Sequence, residues 1–150
     1  MAEEILQCFG GSELRKFDGM GRIAIPNKFR GRFEADSKAY LFKNIRSNES
    51  LILYTEEGWK KVYNKLSSLP NEVKSYMQDE YISRIDMLSM DKAGRITVKQ
   101  DFREYAELSD EVIILCYPDR IEIRDPEKWQ NRQKPAAIPD FNTLDISATD

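Results

Sequence analysis

Two short runs hold charged side chains at a fixed spacing: Asp18-Gly19-Met20-Gly21-Arg22 and Asp91-Lys92-Ala93-Gly94-Arg95. An aspartate four residues ahead of an arginine, with a glycine between them, suits a tight turn: glycine takes a positive φ and the carboxylate bonds nearby backbone. The arginine has two uses there. It can pair with the aspartate and stabilise the turn, or it can reach outward to a phosphate or a base edge, and its planar fork of donors can serve both at once. The chemistry on offer is recognition of an anion rather than bond making.

The charge around the first run points the same way. Residues 12–32 hold Arg15, Lys16, Arg22, Lys28, Arg30 and Arg32 against Glu13 and Asp18, a local balance of +4 in a chain whose net charge is −3, so the remainder sums to −7. A basic face on an acidic protein suits a polyanion and discourages indiscriminate binding. The candidate contacts are Arg15, Lys16, Arg22, Lys28 and Arg30, with Arg95 and Arg103 as weaker counterparts in the second run. There Leu88 and Ser89 stand where the first has Arg15 and Lys16. Asp18, Gly21, Asp91 and Gly94 are expected to form turns, and Phe29 and Phe102 to be core.

Other chemistries fall away. The chain has 150 residues and no histidine, which excludes Ser-His-Asp and Cys-His catalysis and histidine-ligated zinc. Cys8 and Cys116 are far apart with no CxxC pair, so two reduced thiols in a cytoplasmic protein are expected, with no metal and no cofactor. The segment from Gly19 to Ala24 fits the letters of a GxGxxG/A dinucleotide motif, but a β-alternating stretch and Pro26 follow instead of the helix that motif needs. Glu56-Glu57 and Asp79-Glu80 point to different faces of a helix and read as solvated surface. The start is acidic and no apolar run approaches the roughly 18 residues of a membrane span, so a soluble, intracellular protein is expected.

The elements that must position these residues repeat. Asp18 precedes Asp91 by 73 residues, as Phe29 precedes Phe102, and Tyr40-Leu41-Phe42 aligns with Ile113-Ile114-Leu115 at the same offset. The offset then falls to 70, where Leu51-Ile52-Leu53 and Trp59 answer Ile121-Glu122-Ile123 and Trp129. An indel confined to a turn, with strands in phase on either side, marks two copies of one folding unit. Each reads as strand, turn, strand, one helical turn N-capped by Asn27 in the first copy, then a hairpin and a closing helix.

This division gives residues 12–58 as the first unit, 59–84 as linking helices, 85–128 as the second unit, and 129–150 as a helix end and a loose acidic tail. Trp59, Val62, Tyr63 and Leu66, and after Pro70 the positions Val73, Met77 and Tyr81, follow helical spacing and read as core or a subunit contact. Neither unit can cover its own strand edges. If their strands interleave, the edges vanish and a compact, pseudo-symmetric α+β barrel results.

The run Leu14-Arg15-Lys16-Phe17-Asp18-x-x-Gly21-Arg22-Ile23-x-Ile25-Pro26-x-x-Phe29-Arg30 resembles the swapped-hairpin DNA-binding unit of the SpoVT/AbrB superfamily. Two tandem copies, the repeated Asp-x-x-Gly-Arg and the Trp after each hairpin are similar to the MraZ family of bacterial regulators, over residues 9–130. The resemblance implies a pseudo-twofold, double swapped-hairpin barrel and a DNA-binding transcriptional regulator, without enzymatic activity, of a division and cell-wall gene cluster. Such a regulator acts on the nucleoid, usually as a repressor, and binds repeated elements of double-stranded promoter DNA as a homo-oligomeric ring. Met20, Cys116 and Arg124 depart from the residues many relatives carry. A protein-interaction scaffold and an antitoxin-like DNA binder are the competing readings.

Overall fold

The computed structural model describes residues 10–33 and 38–138; Cys8 and the end of the acidic tail lie outside them. The first unit contributes β1 (Ser12–Lys16), β2 (Arg22–Ala24), α1 (Asn27–Arg30), β3 (Lys38–Lys43) and β4 (Leu51–Thr55). Then come α2 (Glu56–Lys65), a 3-10 turn (Leu66–Ser68) and α3 (Asn71–Ile82). The second unit gives β5 (Ile85–Ser89), β6 (Arg95–Thr97), α4 (Gln100–Tyr105), β7 (Glu111–Cys116) and β8 (Ile121–Arg124), closed by α5 (Pro126–Gln130).

The strands interleave as expected. Six of them form an antiparallel sheet in the order β1-β7-β8-β4-β3-β5, and β2 pairs with β6 as a separate ribbon. Each unit's first strand therefore lies on the other unit's hairpin: Ser12 faces Leu115, and its counterpart Ile85 faces Phe42. Leu51 faces Ile123 while Leu53 faces Ile121, which is the offset of 70 made visible. Ile23 opposite Ile96 and Ile52 opposite Glu122 are self-equivalent pairs and mark the approximate twofold axis.

The barrel consists of two hydrogen-bonded pieces rather than one closed ladder. At Asp18 and Asp91 the chain turns out of the sheet into the ribbon, so β1 and β5 remain the outer strands. Ribbon and sheet share one core, in which Ile23, Ile25, Ile96 and Val98 pack with Leu41, Leu53, Ile114, Ile123, Phe29 and Phe102. Each large side chain so buried contributes roughly 1.5–3 kcal/mol.

The β4 strand is buried on both faces, which explains its unbroken apolar run. Leu51 and Leu53 enter the main core, whereas Ile52 and Tyr54 join Phe42 and Trp59 in a second cluster beneath α2 and α3. Thr55 caps α2 by accepting from the Gly58 N–H at 3.0 Å. Of the helical positions expected to pack, Trp59 and Leu66 are buried and Tyr81 stacks on Phe42, but Val73 is exposed.

One local expectation is corrected. Pro26, not Asn27, is the N-cap of α1: it sits at φ −53°, ψ 140°, and its carbonyl accepts from the Phe29 N–H at 2.9 Å. The ring fixes the entry angle one residue early, so Asn27 is already inside the helix and makes no capping bond. Among the described residues no helix is long and apolar enough to cross a membrane.

Candidate nucleic-acid interface

The two Asp-x-x-Gly-Arg runs form matching turns. Oδ1 of Asp18 accepts from the backbone N–H groups of Met20 (2.8 Å) and Arg22 (2.9 Å), and Oδ2 accepts from Arg22 Nε at 2.7 Å. Asp91 repeats the set with Ala93 (2.9 Å), Arg95 N–H (2.8 Å) and Arg95 Nε (2.8 Å). Gly21 and Gly94 take φ of +75° and +77°, the left-handed region these turns require. The backbone N–H of Arg22, helped by its guanidinium and by Met20, holds the Asp18 carboxyl down to about 2 against a partial desolvation penalty. Asp91 is lowered in the same way, chiefly by the Arg95 N–H.

The swap brings these turns side by side. The Ile25 N–H donates to the Gly94 carbonyl at 2.8 Å and the Val98 N–H to the Gly21 carbonyl at 2.9 Å. Arg95 Nη1 lies 3.9 Å from Asp18 Oδ2, an ion pair across the two repeats. The Arg22 and Arg95 side chains remain 29% and 37% exposed, so each is tethered through Nε to its own turn while part of the guanidinium stays in water. Turn stabilisation and an outward-facing cation coexist on one side chain.

Arg30 and Arg103 occupy equivalent places, each against the other repeat's turn. Arg30 Nε donates to the Ile25 carbonyl at 2.6 Å, and its guanidinium fills the space a Cβ at Gly94 would need. Arg103 Nε donates to the Val98 carbonyl at 3.1 Å, with Nη2 at 3.4 Å from the Cβ position of Gly21 and the guanidinium over the Phe17 ring. Four of the candidate cations, Arg22, Arg30, Arg95 and Arg103, are thus gathered around the paired turns.

The remaining three are arranged differently. Strand alternation puts Arg15 and Lys16 on opposite faces of β1. Arg15 bonds the Glu13 carboxylate at 3.2 Å and Lys28 reaches the same carboxylate at 3.5 Å, so one acid holds two bases. Lys16 is exposed and stands across the ladder from Glu111. Phe29 and Phe102 are buried as expected. The acceptor role of Glu13 and the glycine–arginine packing between repeats escaped the sequence reading. The second had a signal, because both glycines and both arginines recur at the 73-residue offset.

The family model for the MraZ protein matches residues 8–79 and 85–145, one match to each repeat. A transcriptional regulator MraZ of Acetivibrio thermocellus is 32% identical over 126 residues, covering 82% of this chain and 85% of the relative. Another of the same name from Halothermothrix orenii is 33% identical over 124 residues, covering 81% and 83%. With both repeats matched and more than four-fifths of each relative spanned, the chain belongs to the MraZ family.

Proposed function

We propose that this chain is a sequence-specific DNA-binding transcriptional regulator that meets double-stranded promoter DNA with the face bearing the two paired turns. The observation that carries this reading is the pairing itself: two Asp-held arginines, Arg22 and Arg95, side by side and still open to water. Arg30 and Arg103 flank them, Arg15 and Lys28 gather at Glu13, and Lys16, on the opposite face of β1, ends the strand two residues before Asp18. Asp18, Gly21, Asp91 and Gly94 shape the turns and make no contact of their own. The names of the relatives support the regulatory role.

The family resemblance supports the finer statements. The target is the promoter of a division and cell-wall gene cluster, the sign of regulation is repression, and the working form is a ring of subunits on the nucleoid. One subunit offers few phosphate contacts, so its affinity alone is poor. Linked copies on repeated elements raise the effective concentration and multiply weak contacts.

The test is anisotropy titration of the intact protein against DNA from upstream of its own gene, with tandem, separated and scrambled elements. Binding is expected to depend on repeat number, and Arg22→Ala is expected to lose it while the oligomer persists. Undiminished binding by Arg22→Ala, or indifference to repeat number, overturns the reading; the second outcome is what a protein-interaction scaffold gives.

A further inference from the structure

The two strand ends that lead into the paired turns differ in sequence but are made alike by the swap. In the first half the strand leading into the Asp18 turn ends in Lys16, and its ladder partner is Glu111. In the second half the equivalent strand ends in Ser89, with no charge, and its ladder partner is Lys38. Lys16 and Ser89 are one position by the 73-residue offset, and so are Lys38 and Glu111. The lysine has therefore changed strands while keeping its ladder rung.

Residues directly opposite on an antiparallel ladder project to the same face with Cβ atoms about 5 Å apart. Lys38 Nζ accordingly reaches the Ser89 hydroxyl at 3.1 Å, and Lys38 is exposed. Among the described residues no carboxylate lies within ion-pair distance of it, whereas Lys99 and Lys43 are tied to Asp86 and Asp101 at 3.2 and 3.1 Å. Its hydrogen-bond partner is a neutral hydroxyl rather than a carboxylate.

We infer that Lys38, supplied by the first repeat, is the phosphate-contacting cation of the second half-site, in the place that Lys16 fills in the first. This rests on the DNA-binding reading above and extends it to a residue that aligning the repeats cannot find, since the alignment sets Lys38 against a glutamate. The second half-site is then not the weak one its own sequence suggests. Ser89 has lost the lysine, and the swap restores it from the partner strand.

The experiment measures affinity for repeated-element DNA, and its dependence on salt, for the full chain. Lys38→Ala is expected to bind several-fold more weakly and to lower the slope of log K against log salt by about 0.9 per engaged subunit, as one lost phosphate contact does. Lys60→Ala, on α2, removes the same charge away from the turns and is expected to leave both unchanged. The exchange variant Lys38→Ser with Ser89→Lys returns the cation to the rung from the other strand and is expected to restore affinity and slope.

Three outcomes overturn the inference. Lys38→Ala can leave affinity and slope intact while Arg22→Ala abolishes binding, in which case the DNA-binding reading stands and Lys38 has no part in it. Lys60→Ala can weaken binding equally, which reduces the effect to net charge. The exchange variant can fold and fail to restore binding. Retained binding by Arg22→Ala is a separate failure, of the DNA-binding reading itself.

Discussion

Arg30 lies across the turn of the other repeat at Gly94, its guanidinium in the space a side chain there would take, with Nε bonded to the Ile25 carbonyl at 2.6 Å. The equivalent contact of Arg103 at Gly21 is looser, at 3.4 Å. Both glycines have nearly the same positive φ, so alanine carries the same backbone strain at either, about 1–2 kcal/mol. Gly94→Ala must also evict Arg30. Urea unfolding is expected to show Gly94→Ala as the more destabilised variant, and the excess to vanish in an Arg30→Ala background. Equal costs in the wild-type background would remove the interlock.

The depressed carboxyls of Asp18 and Asp91 give the turns an acid limit. Asp18 falls from an ordinary 3.8 to about 2, and a group lowered by folding lends stability above its unfolded value and loses it as pH drops through the folded one. The contribution is therefore complete above about pH 4 and fades towards pH 2. Comparing the Tm of wild type and Asp18→Asn across this range is expected to show a gap that is widest above pH 4 and closes at the acid end.

Affinity for DNA is expected to be flat between pH 6 and 8. The chain has no histidine, and arginines stay charged throughout this range. Anisotropy titrations at constant ionic strength measure this directly, and a tenfold change across the interval would contradict contact by arginines.

Glu122 is 4% exposed and is held by Arg120 Nε at 2.8 Å and Arg124 Nε at 3.2 Å. Among the described residues, removing it leaves Arg120 with Asp119 at 2.9 Å as its remaining carboxylate and Arg124 with only the Trp129 ring beside it. Glu122→Ala is expected to cost about 1–3 kcal/mol in chemical denaturation, the range for leaving hydrogen-bonding groups without their partner. A loss below about 1 kcal/mol would mean that water has replaced the carboxylate.

Ile23 and Ile96 meet at the centre of the ribbon and are both fully buried. Ile23→Ala and Ile96→Ala are each expected to cost about 2–5 kcal/mol, by nearly equal amounts because the two sites are near copies. Touching across one rung, they are not independent, so the double variant is expected to depart from additivity by about 0.5–3 kcal/mol.

The tandem register was legible because both strands and turns kept their phase: Asp18 with Asp91, Phe29 with Phe102, Leu51 with Ile121. The turns were legible because aspartate, glycine and arginine each have one local reason to stand where they do. The cap of α1 was misread, since Pro26-Asn27 offers two helix starters and only the proline ring decides between them. Glu122 escaped notice because a glutamate between Ile121 and Ile123 reads as an outward-facing strand position, and nothing in a linear pattern says that Arg120 and Arg124 close over it. The gathering of Arg30 onto Gly94 depends on which hairpin each outer strand joins, and alternation of apolar residues is satisfied by either choice.

The exchange of outer strands also sets a clock on synthesis. Residues that β1 must pair with, such as Leu115 for Ser12, lie about a hundred positions later in the chain. At translation rates of about 5–20 residues per second, β1 leaves the ribosome roughly 5–20 s before its partner does. Until then the basic strand has only solvent, or other nascent chains, to bond. Its charged side chains, Glu13, Arg15 and Lys16, disfavour edge-to-edge pairing with another chain during that wait.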